Sequence, residues 1–249
     1  QEHRSIGYDM DPLAVLMAGV WTRPLDVEAL RKAGDSIADH AQRACKSAPS
    51  LSWIDSDNET RGYVDFWFAE EQQDDLRKLS ALLVAHSGAV GDALRLALSR
   101  LIITKDRGAS LARDVSHSRP HRVRETNDYP VISEFRRSVE YIASRLERQP
   151  PPGNVQVYLG DARALPSVDS GSIDAVITSP PYLNAIDYMR GHRLSLVWLG
   201  YSVGELRNVR SNSVGAERML DEETAEEAAS TVLSQLPATA QLPNRERRI

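Results

Sequence analysis

Cysteine is nearly absent from this sequence. Cys45 is the single thiol in 249 residues, which excludes an internal disulfide framework and any zinc site built on several thiolates. A lone cysteine has no partner for redox or metal chemistry, and Cys45 reads as a half-buried helix residue. Long hydrophobic runs are missing as well. No stretch approaches the roughly 18 apolar residues of a membrane-spanning helix, and no basic stretch runs into an apolar segment near Gln1. Both absences point to the cytoplasm. An excess of positive charge is also lacking, since the net charge is −5, yet the average hides two opposite patches. Arg100, Lys105, Arg107, Arg113, Arg119, Arg122 and Arg124 crowd one stretch against Asp106 and Asp114, and Glu217, Asp221, Glu222, Glu223, Glu226 and Glu227 crowd another against Arg218. Local sign outweighs the sum when a phosphate backbone is the partner. What remains, 41% hydrophobic and 26% charged residues, suits a globular chain of one or two domains.

Alternation of strand and helix is legible at two places. Ser5-Ile6-Gly7-Tyr8-Asp9 reads as a short strand closing on an acidic residue. A helix follows, with Asp11 as its N-cap, Pro12 at its first position and Leu13, Leu16, Met17 and Val20 at helical spacing. The pattern returns at Val155-Gln156-Val157-Tyr158-Leu159, which leaves through Gly160-Asp161-Ala162-Arg163, and again at Ser172-Ile173-Asp174-Ala175-Val176-Ile177. Strands that each end in a polar loop predict a parallel sheet with its site at their carboxyl ends. Between these two regions, residues 26–44, 74–101 and 133–148 read as amphipathic helices, the last with Val139, Ile142 and Leu146 on one stripe. Residues 194–199 also read as helix. The expected architecture is therefore α/β: a first sheet segment at 1–23, a large, mostly helical insertion at 24–152, and a second sheet segment at 153–249.

One segment carries chemistry. Strand 172–177 runs into Thr178-Ser179-Pro180-Pro181-Tyr182, where two prolines stop any strand or helix and remove two backbone donors. The result is a stiff loop of acceptors beside a flat ring. Pro180 and Pro181 contribute carbonyls without N–H groups, Ser179 a hydroxyl, and Tyr182 a surface for stacking. An exocyclic amine on a flipped base needs acceptors for its two hydrogens and a ring to lie against. Such a loop acts by positioning, and it requires no covalent step.

Ile177-Thr178-Ser179-Pro180-Pro181-Tyr182 and the Leu183-Asn184-Ala185-Ile186-Asp187-Tyr188 that follows resemble the catalytic loop of the S-adenosylmethionine-dependent DNA amino-methyltransferases, whose fold is Rossmann-like. The resemblance implies amine contacts from the Ser179 side chain and the Pro180 carbonyl, and base stacking on Tyr182. Its Ser variant is similar to the cytosine-N4 enzymes more often than to the adenine-N6 ones. Gly7-Tyr8-Asp9-Met10-Asp11-Pro12 resembles the family's second strand end, which implies that Asp9 binds the ribose hydroxyls of S-adenosylmethionine. Gly160-Asp161-Ala162 resembles the third strand end, which implies that Asp161 lies near the adenine amine. The family's glycine-rich loop would precede Gln1, and no later strands are evident after Leu199. The expectation is thus a fragment with a partial Rossmann-like sheet and a cofactor pocket that lacks those glycines, which leaves the activity of this chain alone open.

DNA is the implied partner. Ser110 to Arg122 contains a single leucine and a single valine, so it reads as an exposed loop whose Arg113, His117, Arg119 and Arg122 contact phosphates and base edges. A solvated loop paired with the acidic stretch near Glu222 is the alternative. His117 and His121 sit four apart, but Pro120 between them spoils the helical geometry a metal pair needs, and no metal is expected. Asn184, Asp187, Tyr188, Arg190, His192 and Arg193 follow the Ser-Pro-Pro-Tyr loop closely enough to line its cleft, with Arg193 or Arg190 on a phosphate. Trp53, Tyr63, Phe66, Trp67 and Phe68 read as core between helices. The expected function is site-specific methylation of cytosine N4 in DNA, as in restriction-modification. The alternatives are an adenine-N6 DNA or RNA methyltransferase and a non-catalytic nucleic-acid-binding remnant.

Overall fold

The computed structural model describes residues 3–44, 48–103, 107–112, 121–151, 154–179, 189–213 and 231. Strand β1 (Ser5–Asp9) pairs in parallel with β2 (Val155–Leu159), in a register that sets Ser5 opposite Val155 and Asp9 opposite Leu159. Tyr8 and Tyr158 stack across this pair with ring centroids 5.2 Å apart. Helix α1 (Pro12–Thr22) follows β1 at once. Asp11 caps it by accepting from the Leu13 amide at 2.8 Å, and Pro12 starts it without wasting a donor. The helix packs on both strands.

The described part of the long connection from α1 to β2 is mostly helical. It contains α2 (Val27–Arg43), α3 (Ser52–Asp55), α4 (Asn58–Trp67), α5 (Glu70–Leu83), α6 (Gly88–Ser99) and α7 (Val131–Arg148). Asp26 caps α2 through the Ala29 amide, and Asp57 caps α4 through Glu59 and Thr60. The helices α2 and α7 form the most extensive helix pair, because Leu30, Ile37, Val139, Ile142 and Leu146 are all buried. Each such side chain contributes roughly 1.5–3 kcal/mol by leaving water. Their close crossing depends on Gly34, where a Cβ would stand 2.7 Å from a Val139 methyl. Arg31 bridges Glu140 and Glu147, and Arg136 bridges Asp35 and Asp39, along the exposed rim of the same crossing. After β2 come α8 (Met189–Leu196), a single tight turn at Val197–Leu199, and α9 (Val203–Asn212), which Ser202 and Glu205 start with a reciprocal capping box.

The buried residues of all three stretches fall in one cluster. Leu13 and Val20 of α1, Leu94 and Leu98 of α6, Phe135 of α7, and Leu194, Trp198 and Leu206 near the end belong to the same core. Phe68 meets Trp198 edge to face at 5.0 Å. The architecture is mixed α/β, mostly helical, with a two-stranded parallel sheet among the described residues.

Four expectations change. The strand expected at 172–177 does not form: Gly171 turns the chain at φ 74°, and Ile173, Val176 and Ile177 are exposed, the last at 99%. No described segment offers these residues a ladder, and a strand without one gains nothing from extension. The single helix expected over 74–101 is two. Its apolar period runs through, but the chain breaks between Leu83 and Gly88, where Gly88 takes φ 69°. Ser110 and Leu111, expected on an exposed loop, are buried at 1% exposure each. The Leu111 amide donates to the Trp67 carbonyl, and Asn127 donates to the carbonyls of Gly108 and Ala109, so this stem is sewn into the helices. Finally, the aromatic cluster is core only in part. Phe68 is buried and Trp53, Tyr63 and Trp67 pack on the core, whereas Phe66 is 49% exposed.

Candidate functional site

The parallel register brings two carboxylates to the same end of the sheet. Asp9 ends β1, and its carbonyl accepts from the Gly160 amide at 2.9 Å, immediately before Asp161. Each carboxylate folds back on its own turn in the same way. Asp9 Oδ1 accepts from the Asp11 amide at 2.8 Å, and Asp161 Oδ1 accepts from the Arg163 amide at 2.8 Å. The local turn geometry thus holds for both, and it occupies only one oxygen of each.

Their second oxygens differ. Asp9 is exposed, and its Oδ2 takes no hydrogen bond among the described residues. Such an oxygen is available to a hydroxyl donor. Asp161 Oδ2 instead accepts from the Arg163 guanidinium at 2.6 and 2.8 Å. These bonds hold the Asp161 carboxyl below its ordinary range and raise Arg163 above its own. Arg163 also donates to the Asn212 carbonyl, which draws the end of α9 to the β2 turn.

A second link joins distant parts of the chain. Asp11 lies two residues beyond Asp9, and its Oδ2 accepts from His192 Nδ1 at 2.5 Å. His192 stands on α8, which follows the Ser179-Pro180-Pro181-Tyr182 segment in sequence. Because a carboxylate only accepts, the imidazole carries its proton on Nδ1 here. Leu194 and Leu196 anchor α8 in the core, the buried Ser195 hydroxyl donates to the Ser99 carbonyl, and the turn after α8 is held by the Trp53 indole, which donates to the Val197 carbonyl. A cleft of about 300 Å³ lies beside these strand ends. Pro12, Val15 and Leu16 of α1, Leu159 of β2, and Leu196, Leu199 and Tyr201 line it, and the Arg23–Asp92 ion pair closes one side.

The expected site residues divide as follows. Asp9 and Asp161 are adjacent at the strand ends, and Ser179 is exposed beyond β2. Pro180, Pro181 and Tyr182 lie outside the described residues, as do Arg113, His117, Arg119, Asn184, Asp187 and Tyr188. Arg122 and Arg193 are described, and one row of aromatic rings connects them. The Arg193 guanidinium lies 5.6 Å from the Tyr63 ring centre, Tyr63 is 6.2 Å from Trp67, Trp67 meets Phe66 edge to face at 4.8 Å, and Arg122 lies 5.3 Å from Phe66. Burial raises the Tyr63 hydroxyl to about 12, with Arg193 opposing. The Nε of Arg193 is buried with no hydrogen-bond partner. Arg122 also faces carboxylates, for Asp65, Glu70, Glu71, Asp74 and Glu125 line a neighbouring cleft of about 800 Å³ with it.

Sequence reasoning missed Arg163 as the partner of Asp161 and Asp11 as the partner of His192. The first had a signal, an arginine two residues after a strand-end aspartate. The second had none, since its members are 181 positions apart. Among the described residues no cluster of metal-ligating side chains is found, and no helix is long and apolar enough to cross a membrane.

One similarity to a known protein covers a short stretch. Over 47 residues the chain is 47% identical to the Type II methyltransferase M.BsoBI of Geobacillus stearothermophilus, a match that covers 19% of this chain and 9% of that protein. No family model matches the chain, and no solved structure matches it.

Proposed function

We propose that this chain belongs to an S-adenosylmethionine-dependent DNA methyltransferase that modifies an exocyclic amine, with N4 of cytosine as its target. The observation that carries the reading is the meeting, at one end of a parallel sheet, of Asp9, Asp161 and the helix that follows Ser179-Pro180-Pro181-Tyr182. The short identity to a Type II methyltransferase also supports it.

The residues fit the methyl donor unequally. The free Oδ2 of Asp9 suits a ribose hydroxyl, while Asp161 becomes available to an adenine amine once Arg163 turns away. When bound, S-adenosylmethionine supplies an electrophilic methyl group. Ser179 and the Pro180 carbonyl would accept the amine's two hydrogens and hold its lone pair in line, and Tyr182 would carry the extruded base. Arg122 and Arg193 would neutralise phosphates on either side. The amine nitrogen would take the methyl as the sulfonium S–CH3 bond breaks and leaves a neutral thioether, and its surplus proton would pass to solvent, so these residues need only orient an uncharged nucleophile rather than make a strong one.

Incubation with radiolabelled methyl donor and duplexes containing one type of methylatable base tests the reading. Label in the cytosine duplex, reduced by about 10²-fold or more in Ser179→Ala, is the expected outcome. Label in the adenine duplex or in RNA alone would move the target. Nucleic-acid binding without any transfer would leave the non-catalytic alternative.

A further inference from the structure

We propose that Asp11 and His192 form a positioning pair that fastens α8 to the turn leaving Asp9, so that Asp9 and the start of that helix keep a fixed spacing. The kinetic consequence rests on the function proposed above; the fastening itself does not.

The argument begins with what a helix cap requires. One acceptor suffices, and Ser, Thr or Asn serves as well as Asp. At position 11 the carboxylate divides its oxygens between two tasks: Oδ1 accepts from the Leu13 amide, and Oδ2 accepts from His192 Nδ1. Only the second task demands the extra oxygen. The bond is charge-assisted, and both side chains are sheltered, at 13% and 28% exposure, so water competes poorly for either partner.

Position gives the bond its effect. Asp9 Oδ1 accepts from the amide of Asp11, so a shift of Asp11 moves the turn that aims Asp9. The buried anchors of α8 run to Ser99 and into the core, whereas His192 reaches the strand end. The turn after β1 and the start of α8 therefore share one hydrogen bond, and each restrains the other.

Asp11→Ser separates the two tasks, because serine keeps the cap and removes the acceptor for His192. His192→Asn retains a donor near the place of Nδ1, and His192→Ala removes it. Amide hydrogen exchange is the first measurement. In His192→Ala, exchange should rise about tenfold both at 10–13 and at 189–193, Asp11→Ser should produce the same pattern, the double variant should add nothing, and His192→Asn should restore protection. A rise confined to α8, or single effects that multiply in the double variant, would overturn the proposal. Methyl-transfer kinetics is the second measurement. His192→Ala should raise KM for the methyl donor as well as lower kcat, since Asp9 is displaced. A fall in kcat with KM unchanged would show a merely structural residue and overturn the positioning role. If the unaltered protein transfers no methyl group, the proposed function fails while the exchange measurements still decide the pair.

Discussion

A carboxylate's behaviour in this chain is set by which of its oxygens is already taken. Asp161 is held by Arg163, so Arg163 competes with any amine for that side chain. Arg163→Ala should tighten binding of S-adenosylmethionine severalfold in calorimetric titration, and weaker binding would assign Arg163 to the ligand instead. Asp55 shows the same logic in a structural setting. Burial pushes its carboxyl up, but hydrogen bonds from Arg77, Ser50 and the Leu51 amide outweigh that and bring it down to about 2. Its contribution, about 2 kcal/mol, is complete above the unfolded carboxyl value near 4 and disappears as the pH falls towards 2. Asp55→Asn should therefore lower the urea midpoint at pH 7 and flatten its fall between pH 4 and pH 2. An unchanged acid profile would count against the assignment. At this scale the sequence is informative about what is local. The Asp11 cap and both strand-end turns use neighbours within two residues, whereas the partner of His192 comes from the far end of the chain.

Helices reveal why some elements were legible and others were not. The helix at 133–148 was readable because its apolar stripe and charged face are continuous, and α7 runs over Val131–Arg148. The break between α5 and α6 was obscured because the apolar period continues through it, and a single glycine at positive φ carries the turn. The segment 172–177 failed for a different reason. Its composition suits a strand, but strand formation is a property of a pair, and among the described residues it has no neighbour. The crossing of α2 and α7 offers the cleanest test of packing. Gly34→Ala places a methyl within 2.7 Å of Val139, and overpacking of this kind costs about 1–3 kcal/mol. Val139→Ala in the same background should recover part of the loss in a thermal melt. No rescue would mean that the helices adjust elsewhere.

Taken whole, the molecule joins elements from distant parts of the chain in one core. Buried side chains of α2 to α7 belong to the same core as those of α1, α8 and α9. Hydrophobic periodicity marks the buried face of a helix without saying which other segment covers it, so a shared core is invisible from one sequence. The unfolding should follow. Far-ultraviolet circular dichroism and tryptophan fluorescence should report one coincident thermal transition, because Trp198 on the late segment packs against Phe68 on the helical one. Two separated transitions would mark independent domains.

The pairing of β1 with β2 has a consequence for the order in which this protein is made. Ser5 meets Val155 only after the entire helical stretch has been synthesised. During that interval β1 has no ladder, and the cost of closing so long a loop falls if α2 and α7 have already packed and shortened the effective distance between its ends. Where α2 and α7 pair first, the sheet end that gathers Asp9 and Asp161 is a late product of assembly. In that order of events, conditions that slow the pairing of α2 with α7 also delay the sheet end that carries Asp9 and Asp161, even though neither helix contributes a residue to it.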